Sequence, residues 1–185
     1  MNVELLLSAP PKLHGPDGET TDGWRLVDAG VLFLESHVQH QMRTIETGAG
    51  VSTIVFALKA SRHTCVVPDR QVVRRIRRYC ASVGLSLHTV DFVLDRSEYA
   101  LPRLETAAYD FALIDGRHGF PAPFIDWFYI ADRLRRGGLL LIDDTWIWTC
   151  AVVARFLDGT PGWQRCAVLA HCAALVKGGG EAQHA

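Results

Sequence analysis

At 185 residues, 49% apolar and 21% charged, with a net charge of −1, the chain is sized for one globular domain with a substantial core. That near-zero charge gives no overall attraction to nucleic acid or an anionic membrane, and no apolar run reaches bilayer-spanning length. Five cysteines, Cys65, Cys80, Cys150, Cys166 and Cys172, are odd in number and form no CxxC pair, so they read as reduced, mostly buried thiols of a cytoplasmic protein.

Residues 1–23 read as an N-terminal arm or flap, because residues 9–23 (APPKLHGPDGETTDG) are rich in Pro, Gly and polar side chains. The core domain is expected over 24–178, followed by a flexible tail at 179–185. Leu26 to His40 carries apolar residues at helical spacing. A strand is expected over Arg43–Glu46, then a glycine turn and a helix over Val51–Lys59. Thr64–Val67 reads as a second strand. Asp69 is placed to cap a helix with an apolar face of Val72, Val73, Ile76 and Cys80. His88–Leu94 predicts a third strand, Asp110–Asp115 a fourth and Leu139–Asp143 a fifth. A helix from about Phe124 to Arg136 is expected to stop at Gly137-Gly138. Another spans Ala151–Leu157. Arg165–Ala170 and Cys172–Lys177 lie too close together for a crossover and predict an antiparallel hairpin. The alternation predicts an α/β fold: a Rossmann-like, seven-stranded, mostly parallel sheet, closed by that hairpin and covered by helices on both faces.

Two regions carry candidate chemistry. Thr44 to Ser52 (TIETGAGVS) joins strand to helix through Gly48 and Gly50, which allow close backbone approach to a ligand at a helix N-terminus, or serve only tight packing. Glu46 decides what ligand is conceivable. A carboxylate two residues before the first glycine would repel a pyrophosphate, and Ser52 stands where a dinucleotide fingerprint has its third glycine. The same carboxylate suits a cationic ligand such as the ammonium end of S-adenosylmethionine (AdoMet). The second region comprises YDFALIDGRH (109–118) and LRRGGLLLIDD (134–144), which bring Asp115, His118, Asp143 and Asp144 to the carboxyl ends of two strands, where open α/β sheets bind ligands.

With these segments in this order, the sequence resembles the class I AdoMet-dependent methyltransferases over roughly Leu26 to Lys177. Within them it is similar to small-molecule O-methyltransferases of the catechol O-methyltransferase type and to the macrocin and mycinamicin sugar O-methyltransferases. The resemblance implies that Glu46, Gly48, Gly50 and Ser52 form the loop at the methionine end of AdoMet, with Ser97 near the adenine. It implies that Asp115, Asp143 and Asp144 hold a divalent metal such as Mg²⁺, that Asp115 also closes the cofactor pocket, and that His118 acts as general base. Where the family usually ends its second strand with an acidic residue for the ribose hydroxyls, this chain has Val67, and Asp69 is the substitute two positions on. The expected activity is AdoMet-dependent O-methylation of a small hydroxylated acceptor, with a homodimer as a compatible assembly and no nucleic-acid or membrane partner.

Competing readings of the same residues remain. Asp144 and Thr145 could cap the next helix, and His118 could be an exposed loop residue. Either Trp146 or Trp148 could wall a flat acceptor or simply cover the sheet. Trp127 and Phe128 read as core or dimer contacts. Arg70, Arg74, Arg75, Arg77 and Arg78 read as a solvated helix face. A metal-independent enzyme acting on nitrogen or a macromolecule, and a non-catalytic binding protein on the same fold, are the alternatives to the O-methyltransferase. A nicotinamide-binding protein is disfavoured by Glu46 and the closing hairpin.

Overall fold

The computed structural model describes residues 2–15, 25–59, 62–105 and 107–178. The distal part of the arm, residues 16–23, residue 24 and the tail at 179–185 lie outside the described residues. Seven strands form one sheet: β1 (Arg43–Thr47), β2 (Arg62–Val66), β3 (Val90–Val93), β4 (Tyr109–Ile114), β5 (Leu134–Ile142), β6 (Trp163–Leu169) and β7 (Cys172–Lys177). Their order is β3-β2-β1-β4-β5-β7-β6, with every pair parallel except β5–β7 and β7–β6. The closing hairpin is therefore present as expected.

Order reverses between β1 and β4, because the chain winds outward from β1 to β3 and then returns to β1's other side. That reversal opens a crevice at the carboxyl edge, where connecting loops diverge to opposite faces. β4 and the second half of β5 are buried almost throughout, as strands covered on both faces must be.

The helices are α1 (Val3–Ser8), α2 (Asp28–His37), α3 (Val51–Leu58), α4 (Arg70–Ser82), α5 (Ser97–Ala100), α6 (Ala122–Arg133) and α7 (Trp148–Asp158). One sheet face is packed by α2, α3 and α4 around Leu34, Ile54, Phe56, Ile76 and Phe111. The other is packed by α6 and α7 around Ile114, Ile130, Leu140, Val153 and Leu157. Among the described residues, no helix is long and apolar enough to cross a membrane.

Asp69 caps α4 as expected, its Oδ1 accepting from the Gln71 and Val72 amides at 2.7 and 3.4 Å. The expected end of α6 is displaced. Gly137-Gly138 does not end a helix: α6 stops at Arg133, Leu134 is already extended, and both glycines lie within β5. The β4–β5 register shifts between Tyr109↔Leu134 and Phe111↔Leu139, and Gly137 takes φ 74° in that irregular stretch. A glycine pair marks a left-handed backbone equally at a helix end or a strand bulge, and the pull of the sheet decides between them. The arginine face of α4 is likewise not uniformly solvated. Arg75 donates through Nη1 to the carbonyls of Leu13 and Gly15 at 3.0 and 2.8 Å, pinning the proximal arm, and Arg77 lies 5.3 Å over the Phe92 ring. Trp127 packs into the α6–α7 core edge-on to Phe156, whereas Phe128 is exposed.

Asp126 on α6 is fully buried behind the β4 loop, and a Cβ on Gly116 would lie 3.4 Å from its Oδ2. Burial pushes its carboxyl up to about 6, with the Ser97 and Thr47 hydroxyls partly opposing the shift. A carboxyl raised in the folded state favours folding while protonated, and that advantage disappears as pH rises from about 4 through 6. Asp126→Asn is therefore expected to be more stable than the wild type by about 2–3 kcal/mol at pH 7.5, and little different near pH 4. Urea unfolding at the two pH values checks this; an equal difference at both would refute the assignment to ionisation.

Candidate functional site

The site begins with a carboxylate that never reaches it. Glu46 sits on β1 with no solvent exposure. Ser52 Oγ donates to its Oε2 at 2.6 Å, Thr53 Oγ1 donates to Oε1, and His63 Nε2 lies 3.0 Å from Oε1. Thr53 Oγ1 also accepts the Gly50 amide at 3.1 Å, so the carboxylate grips the start of α3 and the glycine loop together. On its other ring nitrogen, His63 meets Thr44 Oγ1 at 2.9 Å, and its ring stacks on Phe56 with centroids 4.1 Å apart. Cys65 completes the cluster, donating to the Gly48 carbonyl at 3.3 Å. Burial, the nearby Glu46 charge and its hydrogen bond push that thiol well up, so it stays protonated.

A cavity of about 850 Å³ opens above this loop, within the range of small-molecule sites. Of the residues expected at the cofactor, Gly48, Asp69, Ser97 and Asp115 line it. Glu46, Gly50 and Ser52 do not: Glu46 and Ser52 are buried behind the loop, and Gly50 faces His14, whose Nε2 would stand 3.2 Å from a Cβ there. Gly48 has φ +91°, and a Cβ on it would strike the Asp115 carbonyl at 2.0 Å. No other residue fits where the β1 and β4 loops cross. Val67 and Asp69 both face the cavity, and the Oδ2 of Asp69 is left over from its capping role.

The three aspartates and the histidine do gather at one edge. Asp115 follows β4, and its amide continues the ladder to the Thr47 carbonyl at 3.1 Å. Asp143 follows β5 and donates its amide to the Ile114 carbonyl at 3.0 Å. Ligand atoms of Asp115, His118 and Asp144 lie within 4.8 Å of one another. His118 Nδ1 is 3.3 Å from Asp144 Oδ2, and Nε2 is 3.9 Å from Asp115 Oδ1. That Nε2 is buried and has no hydrogen-bond partner among the described residues. Asp144 takes φ 52°, an uncommon conformation that aspartate tolerates better than most side chains, and neither it nor Thr145 caps α7, whose N-cap is Ile147. Thr145 instead binds the His171 carbonyl through both its amide and its hydroxyl. Asp143 is turned partly away, its Oδ1 accepting from Cys172 Sγ at 2.9 Å. Burial and the charges of Asp143, Glu46 and Asp144 hold the Asp115 carboxyl well above the usual range. Such crowding of like charge is relieved by a bound cation.

Trp146, not Trp148, lines the cavity; Asp144 Oδ1 holds its indole N–H at 2.8 Å, and the ring stays largely exposed. His14, Arg25, Arg96 and Glu98 also line the wall, and sequence reasoning assigned them no role. His14 lies within the irregular arm and Arg25 just after it, and the arm by itself carries no spacing that signals a site.

Removing the carboxylate in Glu46→Ala strands buried His63, Ser52 and Thr53, with an expected loss of about 3–5 kcal/mol in denaturant unfolding. Glu46→Gln keeps two acceptor contacts at most and should fall between; a loss below about 1 kcal/mol for the alanine variant would refute the hub.

A family model described as a methyltransferase domain matches residues 45–145, more than half of the chain. No curated protein matches the sequence. Among solved structures, cofactor-bound Rv0187 from MTB superposes with a TM-score of 0.74 at 16% identity, covering 95% of this chain and 95% of that one. The O-methyltransferase TomG from Streptomyces achromogenes, involved in tomaymycin synthesis and solved in complex with SAM, gives 0.67 at 16% identity over 85% of this chain and 83% of that one. An rRNA methylase from Streptococcus thermophilus gives 0.61 at 17% identity, over 84% and 98%. At these identities the likeness is one of fold. The sequence match, over the β1 loop, the strand-end carboxylates and the crevice between them, establishes that the chain belongs to the methyltransferase-domain family.

Proposed function

We propose that the chain uses AdoMet to methylate a hydroxyl oxygen of a small molecule, assisted by a divalent cation. The observation that carries this reading is the gathering of Asp115, His118 and Asp144 around one point on the wall of the cavity that Gly48 floors.

The residues present fit both groups. Gly48 lines the cavity with bare backbone, and its missing Cβ lets the β1 loop lie against the Asp115 carbonyl, so the loop and the acidic wall meet at one place. Asp69, through the oxygen not used in capping α4, is the candidate for the ribose hydroxyls, and Ser97 for the adenine end. Two carboxylates with an imidazole are a donor set for a divalent ion, and the buried Nε2 of His118 lacks a partner among the described residues. Asp115 and Asp144 would hold the ion, with Asp143 beside them. AdoMet, when bound, supplies a methyl group on a positively charged sulfur, open to in-line attack. The divalent ion, when bound, would lower the pKa of an acceptor hydroxyl.

The protein's own part is positioning and proton removal. Asp144 faces His118 Nδ1, which favours the tautomer with the proton on that nitrogen and leaves Nε2 free to accept the hydroxyl proton. Trp146, fixed by Asp144, offers a flat wall to an acceptor. We read the location as cytoplasmic because four of the five free cysteines are buried, as suits a reducing compartment.

Calorimetric titration with AdoMet is expected to show binding in the micromolar range, about −8 kcal/mol; no binding would sink the reading. A second measurement separates the roles of His118. If it is the base, His118→Ala keeps Mn²⁺ affinity, measured by electron paramagnetic resonance, while methyl transfer falls about 10²–10⁴-fold. If Mn²⁺ affinity falls with it, the imidazole is a ligand instead. Asp144→Asn should weaken Mn²⁺ binding and slow transfer together.

A further inference from the structure

On the cavity wall, Arg25 has its partners only half supplied among the described residues. Arg25 precedes α2, and its Nη2 pairs with Asp28 Oδ1 at 2.7 Å, which holds one edge of the guanidinium. Its Nη1 is removed from solvent yet has no hydrogen-bond partner among the described residues. The residue lines the same cavity as Gly48 and Asp115. Arg117, on the same wall, is by contrast paired with Glu98 at 3.5 Å.

A guanidinium N–H withdrawn from water without an acceptor is costly to maintain unless a ligand completes it. Its planar fork matches a carboxylate, and its charge does not titrate. The opposite sign is also present, since Asp115, Asp143 and Asp144 line the cavity and repel an anion placed among them. Such a two-signed wall suits a zwitterion, whose ammonium is drawn to the acidic side and whose carboxylate is drawn to the arginine. The amino-acid end of AdoMet is a zwitterion of this kind. We infer that Arg25 binds the carboxylate of the methionine moiety of AdoMet through Nη1, with Asp28 as the positioning residue. This assignment rests on the AdoMet reading above.

The test is a calorimetric cycle with two ligands, AdoMet and decarboxylated AdoMet, on the wild type, Arg25→Gln and Arg25→Lys, with thermal unfolding to confirm that each variant is folded. In the wild type, loss of the ligand carboxylate is expected to weaken binding about ten- to a hundredfold. Arg25→Gln should weaken AdoMet by a similar factor and leave decarboxylated AdoMet unchanged, and Arg25→Lys should retain part of the AdoMet affinity. Equal weakening of both ligands by Arg25→Gln overturns the assignment, because the arginine would then act on the cavity as a whole. Unchanged AdoMet affinity in that variant overturns it too, leaving Arg25 for a carboxylate on the acceptor. If the wild type binds neither ligand, the AdoMet reading fails and takes this inference with it, an outcome the wild-type titrations reveal before any variant is made.

Discussion

A carboxylate removed from water must be met by donors on every side, and Glu46 imposes that demand at the centre of the molecule. Its three donors come from two elements: Ser52 and Thr53 on α3, and His63 on β2. Satisfying them locks α3 against β1 and β2 and, through Thr53 and the Gly50 amide, fixes the path of the glycine loop. The cavity floor is thus held by a polar network packed beneath it. Phe56, stacked on His63, joins that network to the apolar core, so loop geometry and core packing are set together.

The second constraint is topological. Because the strand order reverses between β1 and β4, the loops after those strands diverge and leave a crevice, while β5 beside β4 carries Asp143 and Asp144 to the same edge. The crossing is close enough that Gly48 touches the Asp115 backbone, so the floor and the acidic wall are one structure. Crowding several carboxylates at a partly desolvated edge is unfavourable for the apoprotein. Their mutual repulsion is tolerable because the fold is held elsewhere, and it is the property that makes the edge receptive to positive charge. Arg25 lines the same cavity, so the cavity carries both signs.

Much of this was legible in the sequence. Nearly continuous apolar runs at 109–114 and 139–142 marked buried parallel strands, and the single short connection between 163–169 and 172–177 dictated an antiparallel hairpin. Asp69 announced the start of α4 because an N-cap acts over two or three residues. Failures arose where one local signal serves two structures. Gly137-Gly138 permits a helix end or a strand bulge, and only pairing with β4 selects the second. Glu46 looked like a ligand-facing group by its place in the loop, since nothing local reveals that Ser52, Thr53 and a histidine 17 residues away would enclose it.

The sequence by itself determined the alternation of strands and helices, the closing hairpin and the delivery of Asp115, Asp143, Asp144 and His118 to strand ends, because these follow from periodicity, chain direction and short connections. Tertiary structure alone decided which of those groups face one another. It turned Asp143 towards Cys172 and Asp144 towards His118, chose Trp146 over Trp148 for the cavity, buried Glu46, and left one nitrogen of Arg25 without a partner among the described residues. The reason is physical: a side chain's partners depend on the direction of its backbone and on elements distant in sequence, and neither is encoded in the spacing of neighbours along the chain.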